Sequence, residues 1–227
     1  MNEPYNPWPM GKLPENFRRP EIDLVRNAGY EIDDARDTVT IFENKIADYA
    51  GSKYAVAVDS CTDALFLSLK YLKASGTITF PSRTYVSAPM SAVLAGCDVK
   101  FKDYNWSGIY YLDPFPIIDS AVRFTKDMYE SGSLQCLSFQ IKKSLPIGKG
   151  GMILTDDPDA DRWLRVASFE GRHLDQPYDK DEFEMIGWNM YMTPEDAARG
   201  ILLFDQLGDI HPDGSTQDDY HNLTKKE

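Results

Sequence analysis

Residues 38–69, TVTIFENKIADYAGSKYAVAVDSCTDALFLSL, contain the pattern that decides the fold. Apolar side chains recur at helical spacing up to Gly51, a residue type that commonly ends a helix. The run YAVAV at 54–58 then predicts a strand, and residues 62–73 predict a second helix. A strand enclosed by two helices is the repeating unit of an α/β protein.

The same alternation continues along most of the chain. It predicts an α/β three-layer sandwich with a mostly parallel central sheet that helices cover on both faces. The short strands predicted at 109–112 and 117–118 are an exception, because only a turn at Asp113-Pro114 separates them. The other predicted strands are 77–80, 99–101, 134–139 and 152–155, and the other predicted helices are about 85–95, 159–169 and 193–207.

The chain divides into three predicted segments. Residues 1–24 are rich in Pro and are expected to form an extended N-terminal arm. Residues 25–207 would form one large domain. Residues 208–227 are polar and short of apolar anchors, so we expect a frayed or disordered tail.

The composition disfavours several classes of function. A formal net charge of −12 argues against a nucleic-acid groove, because phosphate binding needs clustered Lys and Arg. No run approaches the roughly 18 apolar residues of a membrane span, and the first residues do not resemble a signal peptide, so no membrane partner is expected. Three scattered Cys indicate reduced thiols and a cytoplasmic location. The chain has three His and contains neither an HExxH nor a CxxC motif, so we expect no metal site.

The first segment that could carry chemistry is the strand-to-helix turn DSCTDAL at 59–65. The free backbone N–H groups and the dipole of a helix start suit a phosphate. The alternative is that Ser60 or Thr62 only caps the helix, and this segment alone favours that alternative.

The second segment is SFQIKKSLPIGKGGMILT at 138–155. Ser138 ends a predicted strand, and Lys143 lies in the loop that follows. Burial beside another cation can lower the pKa of such a lysine, which an imine-forming amine requires. A solvated basic hairpin tip is the alternative interpretation.

The third segment, PIIDSAV at 116–122, places Asp119 at the end of an apolar strand. A carboxylate is costly there unless it is paired. A cationic pyridinium nitrogen would supply the pairing, and the carboxylate would keep that nitrogen protonated. A helix cap or a salt bridge would explain the residue equally well.

In this order the segments resemble the DegT/DnrJ/StrS family of sugar aminotransferases, which depend on pyridoxal 5'-phosphate and have fold type I. The likeness covers about residues 25–207 and implies the large domain of an aspartate-aminotransferase-like transferase. It also implies a shortened form without the small C-terminal domain. The matching segments are FENKIADYAGSKYAVAVDSCTDAL, FPSRTYVSAPMSAVLAGCDVKFKDY, IIDSA, SFQIKKSLPIGKGGMILT and GWNMYMTPEDAARGILLFDQL.

The resemblance assigns the residues around the cofactor ring. It implies that Lys143 rather than Lys142 forms the Schiff base, because Lys143 lies five positions after Ser138. Asp119 would hold the pyridine nitrogen, and Tyr85 would stack on the ring.

The resemblance also assigns the phosphate site and the partner. Asn189 would reach the phosphate of the neighbouring subunit, which implies a homodimer with a shared active site. The residues that would take the phosphate within one chain are Ser60, Cys61, Thr62, Asp63 and Ser138.

Two functions follow from the resemblance. In the first, the chain transfers an amino group from an amino acid donor to a keto-sugar nucleotide, with Lys143 as anchor and general acid/base. In the second, it is a catalytically reduced binding or assembly subunit whose site a partner chain completes. The second function is suggested by Val122, which stands where the family has Gln or His, and by Cys61, which stands where the family usually has Gly. A nucleotide-binding fold without the cofactor is disfavoured, because no GxGxxG follows the first strand.

Overall fold

The computed structural model describes residues 19–208 and 211–224. Every helix and strand predicted from the sequence is present, with ends that differ by a few residues. The helices are α1 (Glu21–Asn27), α2 (Asp37–Ala50), α3 (Cys61–Tyr71), α4 (Ser87–Ala95), α5 (Pro158–Ser168) and α6 (Pro194–Phe204). The strands are β1 (Tyr54–Val58), β2 (Thr77–Pro81), β3 (Asp98–Lys102), β4 (Tyr110–Tyr111), β5 (Ile117–Asp119), β6 (Leu134–Ser138) and β7 (Gly151–Thr155).

Local capping residues set the ends of three helices. Ser60 begins α3, because its Oγ accepts the N–H of Asp63 at 3.1 Å. Thr193 begins α6 in the same way, with its Oγ1 3.2 Å from the N–H of Asp196. Gly51 ends α2 in the left-handed region, with φ at 84°.

The α/β class is confirmed, but the prediction of a mostly parallel central sheet is wrong. Five strands form this sheet in the order β1-β7-β6-β5-β4. Only β5 and β6 are parallel, whereas β1 with β7, β6 with β7, and β4 with β5 are antiparallel. Strands β2 and β3 form a separate parallel pair.

The connections explain why the strands run in opposite directions. A parallel pair needs a crossover of a dozen or more residues, usually a helix, whereas an antiparallel pair can be joined by a short turn. Residues 112–116 join β4 to β5, and residues 139–150 join β6 to β7, and neither segment contains a helix. Each of these strands therefore folds back beside the strand before it.

Helices cover both faces of the central sheet, which confirms the three-layer arrangement. The strand register aligns buried side chains in two rows across β1, β7 and β6. One row is Val56, Ile153 and Cys136, and the other is Ala57, Met152 and Leu137. The first row packs in one core with α3 and α5, and the second packs in another with α1, α2 and α6.

The two ends of the described chain differ from the expected arm and tail. Residues 1–18 of the arm lie outside the described residues, and from Glu21 the chain is already helical. Residues 211–224 pack on the domain and are not a frayed tail. The ring of Tyr220 lies 5.6 Å from that of Trp106, and the N–H of Leu223 donates to the carbonyl of Ser82 at 2.8 Å. The Tyr220 ring, which packs against the core, is the apolar anchor that the polar composition concealed.

Among the described helices, none combines the length and the hydropathy that crossing a bilayer requires.

Candidate functional site

A cleft of about 850 Å³ brings the three predicted segments together. Loop 139–150, the start of α3 and the end of β5 form its walls, and part of the segment 211–224 closes one side. Seven of the predicted site residues line it: Ser60, Cys61, Thr62, Tyr85, Asp119, Ser138 and Lys143.

The strand directions explain why distant parts of the sequence meet here. Strands β5 and β6 are parallel neighbours, so Asp119 and Ser138 leave the sheet at the same edge. Strand β7 is antiparallel to both β1 and β6, so β1 also ends at this edge, just before Ser60. The carboxyl ends of strands that run in one direction are a common place for a binding site.

Asp119 is a buried carboxylate at the floor of the cleft, with 6% of its surface exposed. Its Oδ2 accepts the hydroxyl proton of Tyr110 at 2.5 Å, and its Oδ1 accepts the N–H of Ala121 at 2.9 Å. Burial raises the pKa of Asp119, while these two hydrogen bonds and the charge of Lys143 lower it. Both hydrogen bonds come from uncharged donors.

The two neighbouring lysines of the loop differ in their environment. Lys143 is half-buried, whereas Lys142 is exposed. Burial lowers the pKa of the Lys143 amine, and the negative charges that Cys61 and Asp119 can carry raise it. Gln140 fixes the loop, because its carbonyl accepts the N–H of Lys143 at 2.8 Å. Burial therefore favours the neutral form of the Lys143 amine more than solvent would.

In the turn before α3, Ser60 caps the helix, and the first backbone N–H groups of the helix remain available to a ligand. The hydroxyl of Ser60 donates to Asp63 Oδ2 at 2.7 Å, so Ser60 and Asp63 bond to each other. The hydroxyl of Thr62 donates to Ser87 Oγ at 2.8 Å. The N–H groups of Cys61 and Thr62 belong to the first helical turn, where a helix offers no internal acceptor. These N–H groups are suited to an anion.

Gly151 lets β7 approach this turn closely. A Cβ at this position would lie 2.4 Å from the Ser60 carbonyl carbon and 2.5 Å from the Cys61 nitrogen. Both atoms belong to the backbone, so they cannot move aside as a side chain would. The glycine thus fixes the distance between the turn and the strand that follows the Lys143 loop.

Two predicted site residues do not line the cleft. Asp63 stays at the cap of α3 through its hydrogen bonds with Ser60. Asn189 lies opposite Phe169 in an antiparallel bridge, and its side-chain amide donates to Glu170 Oε1 at 2.6 Å. Asp63 therefore contacts the cleft residue Ser60 without lining the cleft itself, and Asn189 does not line it either.

Sequence reasoning missed several lining residues of this cleft, and three of them lie around Asp119. Tyr110 and Thr84 line it beside Asp119, and Tyr220 reaches it from the segment 211–224. The only signal for Tyr110 was its place in a short strand that precedes a turn and a second strand. The position in the strand points to Asp119 only once the strand register is known, because the register pairs Tyr110 with Asp119.

A sequence model described as the DegT/DnrJ/EryC1/StrS aminotransferase family matches residues 25–117 and 119–213. The chain is 26% identical to the spore coat polysaccharide biosynthesis protein SpsC of Bacillus subtilis, over 74% of this chain and 57% of that protein. It is 25% identical to the GDP-perosamine synthase of Caulobacter vibrioides, over 73% of this chain and 56% of that protein. The chain thus spans little more than half the length of these curated relatives.

Solved structures show the same fold at low sequence identity. The sugar aminotransferase CalS13 from Micromonospora echinospora superposes with a TM-score of 0.65 at 14% identity, over 82% of this chain and 64% of that one. DesV of S. venezuelae, solved in complex with a ketimine intermediate, gives a TM-score of 0.64 at 20% identity, over 82% of this chain and 60% of that one.

Proposed function

The chain belongs to the DegT/DnrJ/EryC1/StrS aminotransferase family, and from that premise we propose that it is a pyridoxal 5'-phosphate-dependent aminotransferase of nucleotide sugars. In this proposal an amino acid gives its amino group and a keto-sugar nucleotide receives it. The observation that carries the proposal is the half-buried amine of Lys143 in one cleft with the buried carboxylate of Asp119. The names of related proteins, such as the GDP-perosamine synthase, support the substrate class.

The residues of the cleft fit this cofactor. Asp119 accepts hydrogen bonds only from uncharged donors among the described residues, so a cationic ring nitrogen would provide the missing counter-charge. The open N–H groups of Cys61 and Thr62, with Ser138 nearby on the cleft wall, would hold the phosphate. Tyr85, which is 64% exposed at the cleft, would cover the ring.

Lys143 would have two tasks. When bound, pyridoxal 5'-phosphate supplies an aldehyde that condenses with amines and a ring that takes up electrons. Lys143 would anchor it as the Schiff-base lysine and then carry the proton at its Nζ during the transfer. A pKa lowered by burial increases the fraction of neutral amine at neutral pH, which both tasks require.

A homodimer with a shared active site is part of the proposal. Helix α4 and the residues before it present an exposed apolar surface whose first residues also line the cleft. This α4 surface consists of Tyr85, Val86, Met90, Val93 and Leu94. A second copy that covers it would lie at the cleft mouth, where Asn189 of one chain is proposed to serve the phosphate of the other.

Two further predictions belong to this proposal. Residues 25–207 would act as the cofactor-binding domain, which the family match over nearly the same residues supports. The cytoplasmic location inferred from the scattered cysteines also remains a prediction.

Borohydride reduction in the presence of pyridoxal 5'-phosphate tests the proposal. We expect the reduced cofactor on the peptide that contains Lys143 in the wild type and in Lys142→Ala, and no label in Lys143→Ala. The Lys142→Ala variant is the matched control, because it removes the exposed neighbour in the same loop. Label that persists in Lys143→Ala, or no cofactor uptake by the wild type, would contradict the proposal.

A half-reaction separates the enzyme from a binding or assembly subunit. Val122 lies on the cleft wall where the resemblance predicts a polar residue, which favours the second function. Loaded protein is mixed with glutamate or glutamine, and its absorption spectrum is followed for conversion of the cofactor to the amine form. Conversion supports the aminotransferase. Bound cofactor without conversion supports the binding subunit.

A further inference from the structure

Tyr110 and Asp119 form a buried cross-strand pair. The antiparallel register of β4 and β5 places them directly opposite each other, with 4% and 6% of their surfaces exposed. The Tyr110 hydroxyl donates to Asp119 Oδ2 at 2.5 Å. Residues 112–116 join the two strands without a helix.

Tyr110 is itself held from two other sides. The Thr84 Oγ1 lies 2.7 Å from the Tyr110 oxygen, and Thr84 is buried. Because the single hydroxyl proton of Tyr110 is given to Asp119, the Thr84 hydroxyl is the donor in this contact. The indole of Trp106 packs edge-on against the Tyr110 ring at 5.0 Å between centroids. These contacts with Asp119, Thr84 and Trp106 therefore hold the Tyr110 phenol in one position.

We propose that Tyr110 is the positioning residue of Asp119, and that the chain Thr84–Tyr110–Asp119 aims this carboxylate at the ring nitrogen of pyridoxal 5'-phosphate. The inference rests on the proposed function. A carboxylate has about four lone-pair sites, of which Tyr110 and Ala121 occupy two, so acceptor sites remain toward the cleft that Asp119 lines.

The hydrogen bond also favours the ionised form of Asp119 against the effect of burial, which leaves the pKa raised. Burial raises the pKa of this carboxyl, and the bond from Tyr110 is the largest of the influences that lower it again. A neutral Asp119 would no longer balance a cationic ring. The titratable groups that face Asp119 from the packed elements are Tyr110, Cys61, Cys136, Lys143 and Tyr220.

The neighbouring residue provides a matched control. Tyr111 stands in the same strand and is 45% exposed, and its hydroxyl donates to the carboxylate of Glu130. Tyr111→Phe therefore deletes the same chemical group from a tyrosine–carboxylate bond outside the cleft. Tyr110→Phe deletes it inside the cleft and keeps the packed ring.

The first measurement needs no cofactor. The pKa of Asp119 is followed by ¹³C NMR of its side-chain carboxyl in the full chain, with Asp119→Asn to assign the resonance. We expect Tyr110→Phe to raise this pKa by about one unit, the effect of losing a hydrogen bond to a charged group. Thr84→Val should raise it less, and Tyr111→Phe should leave it unchanged.

The second measurement is the dissociation constant of pyridoxal 5'-phosphate. We expect Tyr110→Phe to weaken binding by about tenfold, with the borohydride label still on Lys143. An unchanged Asp119 pKa together with unchanged affinity in Tyr110→Phe would overturn the role of Tyr110 alone. Failure of the wild type to take up cofactor would overturn the proposed function and this role with it.

Discussion

Gly151 offers the sharpest test of the geometry around the cleft, and the change is Gly151→Ala. The residue is paired with Val58 on one side and Ser138 on the other, so it sits between β1 and β6. The new Cβ would lie 2.4 Å from the Ser60 carbonyl carbon and 2.5 Å from its oxygen. Real Cβ atoms are not found so close to backbone, so the turn before α3 must shift.

Two opposing effects set the magnitude. Replacing Gly by Ala reduces the entropy of the unfolded chain, which favours folding by about 0.4 to 1 kcal/mol. Forcing an extra carbon into a packed region costs about 1 to 3 kcal/mol. Because the atoms in contact are backbone atoms, we take the upper part of that range and expect a net loss of about 2 kcal/mol in the free energy of unfolding.

Urea unfolding followed by circular dichroism measures this loss, and thermal unfolding should show a midpoint lower by about 4 to 8 °C. Gly208→Ala is the control, because a Cβ there meets nothing within 4 Å. It should change the free energy of unfolding by less than about 0.5 kcal/mol. If Gly151→Ala unfolds at the wild-type urea concentration, the close approach between β7 and the turn is refuted.

Two other predictions concern the dimer and the loop after α5. Val93→Glu places a charge in the exposed α4 surface and is expected to yield monomers in sedimentation velocity. Leu24→Glu, at an exposed apolar residue of α1, is the control and should stay dimeric. If both variants are dimers, the α4 interface is refuted. The pKa of His173 is raised chiefly by its hydrogen bond to Asp181 and further by Glu184, against desolvation. The resulting stability is present below the unfolded pKa of about 6.5 and is lost as the pH rises through the folded value. His173→Gln should therefore unfold at a lower urea concentration than the wild type at about pH 5.5. At about pH 8.5 the urea midpoints of the variant and the wild type should converge. A difference between these midpoints that stays the same at both pH values would contradict the role of His173.

The helices and strands other than α1 could be predicted because the information for them is local. Gly51 and the apolar spacing before it define α2 without any tertiary contact. The direction of a strand is different, because it depends on where the connection leads the chain. The absence of a helix between residues 139 and 150 was visible in the sequence, but its effect on β7 required the neighbours of that strand to be known.

The site shows the same difference between information that is local in the sequence and information that depends on tertiary neighbours. Asp119 and Lys143 could be proposed because the order of their segments resembles a known family, whereas each segment alone left a cap, a salt bridge or a solvated hairpin tip open. Tyr110 is an ordinary strand residue until the register places it opposite Asp119. Tyr220 was missed for a related reason, since one aromatic ring in a polar segment predicts no contact until its partner Trp106 is known.

The loop that carries Lys143 is tethered at both ends to adjacent strands in the middle of one sheet. Ser138, just before the loop, pairs with Gly151, just after it, so the two tether points cannot separate while β6 and β7 remain bonded. The amine therefore samples the cleft mainly by rotation about its own side-chain bonds. A larger excursion would have to break the bonds at the base of the loop, where the N–H groups of Phe139 and Ile141 donate to the carbonyls of Gly150 and Gly148 at 2.9 and 3.2 Å.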